Sequence, residues 1–408
     1  MRTTTESQTL PPAIVVGLDC ITGLQTVRIF ARHRVPVIAI AGDRDHYCCQ
    51  TRLPQEILTA DLGGMELIET LERLGNRLSQ RAVLVPCTDG TVLNISRHRE
   101  RLQECFHVVL PEHDTVEMLM DKVRFFTFAQ EADLPIPGTF LLRSRQDAEE
   151  AAATLTYPLV MKPPVKTPAW QEHVGEKVFQ VPDAQELLRL YDRCSPWADV
   201  LMVQEWIEGD DADLYSCNCY FNAESEPLVT FVARKLRQWP PETGTSCLGE
   251  EIRNDTVLQE TVALFRAAKW RGLGYVEMKR DRRTGKHYII EPNLGRPTGR
   301  SAIAEAGGVE LLYTMYCDAV GLPLPENRKQ TYRGVKWIHL RRDIQSALYY
   351  MSRRRLTPWG WYKSIRGPKG YAVIARGDMG PFWAELRAVV GKGRGAVFGN
   401  RYSVFGNR

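Results

Sequence analysis

Long apolar runs are missing from this 408-residue chain, and no stretch approaches the roughly 18 residues that a membrane-spanning helix requires. The first ten residues, Met1-Arg-Thr-Thr-Thr-Glu-Ser-Gln-Thr-Leu10, lack the apolar segment of a secretory leader, so a cytosolic protein is expected. The ten cysteines are scattered, without a Cys-x-x-Cys pair, and no two histidines stand at metal-ligand spacing. That argues against zinc and against a disulfide framework, leaving reduced, structural cysteines. No Ser/His or Cys/His arrangement suggests a covalent nucleophile. The Gly17 to Gly23 spacing departs from G-x-G-x-x-G, which removes the usual dinucleotide signal. Acidic residues are scarce at one end: residues 331–408 hold sixteen Lys/Arg against three Asp/Glu, a balance of +13 that leaves −9 for residues 1–330.

What is present is an ordinary globular composition, 44% hydrophobic and 25% charged, long enough for two or three cores. The apolar runs at 13–18, 35–40 and 81–86 read as strands. Helical spacing over 23–32 and 64–78 separates them, a rhythm that predicts a parallel α/β sheet. Asp43 and Asp89 close two of these strands, where open α/β sheets place ligands.

The stretch from Gly272 to Arg300 reads as a hairpin. Tyr275–Lys279 and His287–Glu291 are strand-like and flank a polar turn containing Gly285. A register symmetric about Thr284 would make Glu277 and Glu291 cross-strand neighbours, and period-2 alternation returns Asn293 to the same face. Two facing carboxylates need a cation, and Mg²⁺ shared with substrate phosphates suits two acids and an amide oxygen. The alternative is a solvated surface hairpin. Upstream, Lys122 stands in the first turn of a helix, where a cation opposes the macrodipole and hints at an anion. Lys162 lies in the otherwise apolar Leu-Val-Met-Lys run, where phosphate is a natural partner. Lys235 and Arg237 occupy alternate positions of a strand and point to phosphate or a substrate carboxylate, with the Pro240–Ser246 loop as a cover; a solvated basic strand is the alternative.

Taken in order, Asp121-Lys122, Pro158-Leu-Val-Met-Lys-Pro163, Gln204-Glu-Trp-Ile-Glu-Gly209 and the Glu277/Glu291/Asn293 set resemble the successive motifs of the ATP-grasp superfamily. The resemblance covers about 13–325. It implies a parallel α/β domain over 1–118, a two-subdomain α+β ATP-grasp fold over 119–325 holding ATP between its subdomains, and a basic C-terminal extension over 326–408. It also implies phosphate contacts from Lys122 and Lys162, adenine contacts from Gln204, Glu205 and Ile207, a ribose contact from Asp211, and Mg²⁺, with Mn²⁺ as a substitute, on Glu277, Glu291 and Asn293. In the carboxylate–amine ligase branch an arginine follows as Asn-Pro-Arg. Here the run is Asn293-Leu-Gly-Arg296, one residue longer, with Arg296 as a catalytic candidate beside Lys235 and Arg237.

The expected reaction is ADP-forming ligation of a small carboxylate to an amine through an acyl phosphate, which needs positioned charge and no protein nucleophile. An amino acid or an envelope-saccharide precursor is the expected substrate type. The rivals are thiol ligation or phosphorylation on the same fold, and a non-catalytic ATP-binding regulatory module. In the C-terminal region, arginines beside Tyr349, Tyr350, Trp359 and Trp361 suit an anionic membrane surface, hence a peripheral location at the inner membrane face. The alternative has the aromatics packed on the ATP-grasp domain. No nucleic-acid partner is expected, and a homodimer is.

Overall fold

The computed structural model describes residues 10–393 apart from 166, 177, 242, 243 and 300, and the side chains up to 390. The tandem Val-Phe-Gly-Asn-Arg segments at 397–401 and 404–408 lie outside the described residues, as does Arg300 of the hairpin stretch. So do two residues of the loop taken as a cover. The chain divides into two compact units. Of the described residues, one unit comprises 10–117, 210–277 and 292–393, and the other 118–209 and 278–291.

The first unit contains a five-stranded sheet in the order Glu56–Thr59, Val37–Ala41, Ala13–Val16, Ala82–Pro86, Phe106–Val108, paired in parallel throughout. Its three central strands are buried along their whole length, as expected of uninterrupted apolar runs in a parallel sheet covered on both faces. Helix Ile21–Arg32 follows the first strand, with the Cys20 thiol accepting the Gly23 N–H at 3.3 Å. A Cβ on Gly23 would stand 2.1 Å from the Gly17 carbonyl oxygen, so the glycine is required by close strand–helix approach and not by a nucleotide.

The same unit carries most of a seven-stranded sheet ordered His287–Leu294, Gly272–Arg280, Leu214–Phe221, Pro227–Trp239, Thr245–Glu251, Lys336–Ile338, Lys369–Tyr371. Its first two strands run across the boundary into the second unit. Its last two come from the basic C-terminal region: Lys336–Ile338 pairs antiparallel with Thr245–Glu251, placing Leu248 opposite Ile338, and Lys369–Tyr371 runs parallel beside it. One apolar core joins the parallel sheet to Phe231, Met315, Trp337 and Val373.

The second unit holds a four-stranded antiparallel sheet ordered Thr139–Leu142, Leu201–Glu205, Leu159–Lys162, Phe179–Val181. It has a core of its own, around Met161, Trp170, Leu187 and Leu201. The cysteines are free, and eight of the ten are buried, as expected of structural thiols.

Candidate active site

In the second unit, Asp121 caps helix Lys122–Glu131 by accepting the Arg124 N–H at 2.9 Å, which leaves Lys122 as the first helical residue. Lys162 ends its strand half-buried, opposite Met202, so it stands at the rim of the sheet and not inside it as the apolar run suggested. Gln204 and Glu205 close the neighbouring strand. The Gln204 amide donates to the Thr139 hydroxyl at 3.0 Å, and the Glu205 carboxylate accepts the Thr156 N–H at 2.8 Å. The Glu205 and Trp206 N–H groups are taken by the Gly138 and Pro158 carbonyls, while the Ile207 side chain is buried. These strand-end residues are therefore fixed, with the Gln204 and Glu205 side chains serving the sheet itself. Glu291 is exposed.

In the first unit a chain of polar contacts runs from one candidate to the next. The Lys235 ammonium, 4% exposed, lies 3.5 Å from Glu277 and donates to the Gln238 amide oxygen at 3.0 Å. Gln238 in turn donates to one oxygen of Asp211 at 2.7 Å, and the Tyr350 hydroxyl donates to the other at 2.7 Å. Burial pushes the Asp211 carboxyl up, opposed by those two hydrogen bonds. Both oxygens of the expected ribose acceptor are thus already engaged. Arg237 makes two hydrogen bonds to Asp343, 2.7 and 3.1 Å, in a buried pair that also receives the Trp361 indole N–H at 2.9 Å. Alternation alone put Lys235 and Arg237 to one common use. Register irregularities against Thr245–Glu251 fall on both sides of Arg237, and the two cations serve different carboxylates.

Asn293 accepts a 2.7 Å hydrogen bond from Arg296, whose Nε donates to Asp89 at 2.6 Å. The longer Asn-Leu-Gly-Arg run is accommodated at Gly295. That residue adopts φ 65°, so the chain turns and brings Arg296 back onto the amide. Asp89 is the first residue of helix Asp89–Arg97, which is fixed by a capping box of Thr88 and Thr91. The symmetric hairpin register holds at the Asn293 end, where the Gly295 N–H donates to the Leu273 carbonyl. At the turn it slips by one, because the Asp281 N–H meets Lys286 and not His287. The second strand thus carries one extra residue between the two bonds.

The contacts from Gln238, Asp343 and Tyr350 were not anticipated. Nothing in local spacing announces the last two, since Tyr350 lies 139 positions from Asp211 and Asp343 lies 106 from Arg237. Among the described residues no three His, Cys, Asp or Glu side chains gather as a metal group. A cation at Glu277, Glu291 and Asn293 would have two carboxylates and an amide oxygen. That set is all hard oxygen and fits Mg²⁺ completed by substrate.

No known family profile matches the chain. In sequence it is similar to a D-aspartate ligase of Enterococcus faecium (strain Aus0004), 26% identical over 250 residues and 58% of each chain. It is also similar to a D-alanine–D-alanine ligase of Stutzerimonas stutzeri (strain A1501), 30% identical over 96 residues, or 23% of this chain and 28% of that one. In structure it resembles an ADP complex of N5-carboxyaminoimidazole ribonucleotide synthetase, with a TM-score of 0.61 and 16% identity over 84% of this chain and 86% of that one. Phosphoribosylglycinamide synthetase from Anaerococcus prevotii matches with a TM-score of 0.61 at 16% identity over 78% and 79%.

In fold the chain is similar to these ATP-grasp structures. The α/β and α+β architecture expected from the motif order is the one observed. The chain spans less than two thirds of the length of the curated relatives it matches, 58% of the D-aspartate ligase and 28% of the D-alanine–D-alanine ligase. Among the ATP-grasp structures it resembles, one biotin carboxylase domain dimer was obtained with MgADP and bicarbonate. Among the described residues no helix is long and apolar enough to cross a membrane.

Proposed function

We propose that the protein is an ADP-forming ligase that activates a carboxylate as an acyl phosphate and joins it to an amine. The observation that carries this reading is the ATP-grasp fold combined with sequence relatives that are both ligases by name. Those names favour a D-amino acid as one of the two substrates.

In this reading the substrate carboxylate oxygen attacks the γ-phosphorus of ATP, the bond from that phosphorus to the β-bridging oxygen breaks, and ADP leaves. The amine nitrogen then attacks the acyl carbon, the C–O bond to phosphate breaks, and the amine proton passes to solvent. Lys122 and Lys162 hold phosphates. The 204–207 strand end and the Asp211 region take adenine and ribose, with Asp211 accepting through its remaining lone pairs. Arg296, oriented by Asp89 and Asn293, faces the carboxylate or the transferring phosphoryl group, and Lys235 balances Glu277. Arg237 acts by position, fixing the strand that carries Lys235 through its pair with Asp343. Mg²⁺ on Glu277, Glu291 and Asn293, or Mn²⁺ in its place, supplies charge neutralisation at the phosphates.

Glu291→Gln keeps the side chain's shape and removes one charge. It is expected to lower ADP release from ATP by at least about a hundredfold, the scale of losing a transition-state charge contact, with an unchanged circular dichroism spectrum. Turnover near that of the parent protein would remove Glu291 from the metal set.

The C-terminal helices carry a second part of the proposal, contact with an anionic membrane surface. Trp359 and Tyr362 are exposed, with Lys363 and Arg366 over their rings. Trp361 and Trp337, by contrast, are tied into the fold. Co-sedimentation with phosphatidylserine vesicles at low salt, reduced in Trp359→Ser/Tyr362→Ser, is the expected result, and failure of the intact protein to sediment removes this partner. A homodimer is proposed as the solution state, to be read by sedimentation velocity.

A further inference from the structure

We propose that Tyr350, in the C-terminal helix Leu340–Ser352, is a positioning residue that sets Asp211 to read the ribose hydroxyls of ATP, which makes the basic C-terminal region part of nucleotide selection. The inference rests on the reading of Asp211 as the ribose acceptor given above. All the residues it uses lie in the first unit.

Asp343, Ser346, Ala347 and Tyr350 stand at i, i+3, i+4 and i+7 and so share one helix face. The first three are buried and Tyr350 is half-buried, and the helix packs against strand Pro227–Trp239. Asp343 takes both Arg237 hydrogen bonds and the Trp361 indole N–H, which fixes how far along that strand the helix sits. Two turns later, a rise of about 10 Å, the Tyr350 hydroxyl meets Asp211 at 2.7 Å.

The acids around Asp211 are used differently from it. The Asp213 carboxylate accepts the Asp210 N–H at 3.0 Å, and Asp210 pairs with Arg355 at 3.1 Å. Asp211 receives two neutral donors instead, Gln238 on one oxygen and Tyr350 on the other, each at 2.7 Å. Neutral donors fix the plane of a carboxylate without cancelling its charge. An ionised carboxylate has about four acceptor positions, so capacity remains for hydroxyl donors, and a vicinal diol supplies two of them. Burial disfavours the charged form here, and the Tyr350 hydrogen bond stands first among the contacts that oppose it.

The Tyr350 ring is itself held in place. The Arg355 guanidinium lies 5.3 Å from its centroid, and the Tyr349 ring meets it edge-on at 5.4 Å. Phenylalanine at this position keeps both contacts and loses only the hydroxyl, so the substitution separates hydrogen bonding from packing.

The test is isothermal titration calorimetry of the intact protein with ATP, 2′-deoxy-ATP and 3′-deoxy-ATP in excess Mg²⁺. The parent is expected to prefer ATP over at least one deoxynucleotide by about tenfold, the scale of one hydrogen bond to a charged group. In Tyr350→Phe that ratio is expected to fall to about twofold or less, because ATP binds more weakly while the deoxynucleotide binds as before. A loss of packing alone would weaken all three nucleotides together and keep the ratio. Asp211→Asn is expected to abolish the preference as well, and Asp211→Asn/Tyr350→Phe to lose no more than Asp211→Asn alone. The proposal is overturned if Tyr350→Phe keeps the parent's ratio, if the losses of the two variants add in the double, or if the parent binds ATP without preferring it to either deoxynucleotide. The last result leaves ATP binding standing. A parent chain that binds no nucleotide would instead remove the ATP reading itself, and this inference with it.

Discussion

At the scale of single residues, the chemistry of this protein depends on how buried charges are compensated. Arg237 and Asp343 form a buried pair, with side chains 6% and 0% exposed. Removing one partner leaves the other charged and dry, so Arg237→Met is expected to destabilise the fold by about 3–5 kcal/mol. Arg237→Met/Asp343→Leu should recover much of that loss, and urea midpoints measure both; a single variant as stable as the parent would contradict the burial argument. Glu305 gives a pH signature. Burial pushes its carboxyl from 4.5 to about 7, against the Leu312 N–H that it accepts. The folded state thus holds the proton more tightly than the unfolded one. Stability from this group is complete below about pH 4.5, falls as pH rises, and is lost above about pH 7. Glu305→Gln should flatten the stability profile between those limits, and a profile as steep as the parent's would exclude Glu305 as its source.

Among the elements, what the sequence made legible follows from local periodicity. The three apolar runs of the parallel sheet, each strand of the hairpin and the helix starting at Lys122 are each written in a stretch of a dozen residues or fewer. The Asp343 partner of Arg237 and the Tyr350 partner of Asp211 are not, because they come from a helix more than a hundred positions away. Alternation misled for Arg237, since strand irregularities on both sides of it redirect the side chain. The basic C-terminal region was legible as charge but not as structure. Its three-residue strands Lys336–Ile338 and Lys369–Tyr371 are too short to show a period, yet they extend the main sheet and bury Trp337. A chain cut after residue 330 would expose the edge of Thr245–Glu251 and open the core, so loss of soluble expression is the expected outcome. A stable truncated chain with parent-like circular dichroism would contradict this packing. Such a truncation is for the same reason no clean probe of membrane contact, for which the exposed Trp359 and Tyr362 serve better.

For the whole molecule, the motif order along the chain predicted the architecture, while the contacts of each site side chain were not legible in it. Motif order reflects fold, whereas the use of Asp211 or Glu205 depends on neighbours contributed by distant segments. The central claim is that a carboxylate oxygen becomes bonded to the γ-phosphorus of ATP. It is tested most directly by incubating the intact protein with MgATP, an amine mixture and amino-acid carboxylates, aspartate first among them, labelled with ¹⁸O in the carboxyl group. Mass spectrometry then reads the released phosphate and any new amide. The account predicts ADP, phosphate carrying one ¹⁸O from the carboxylate, and a product with the mass of the amide. ADP accompanied by unlabelled phosphate and no amide would contradict it.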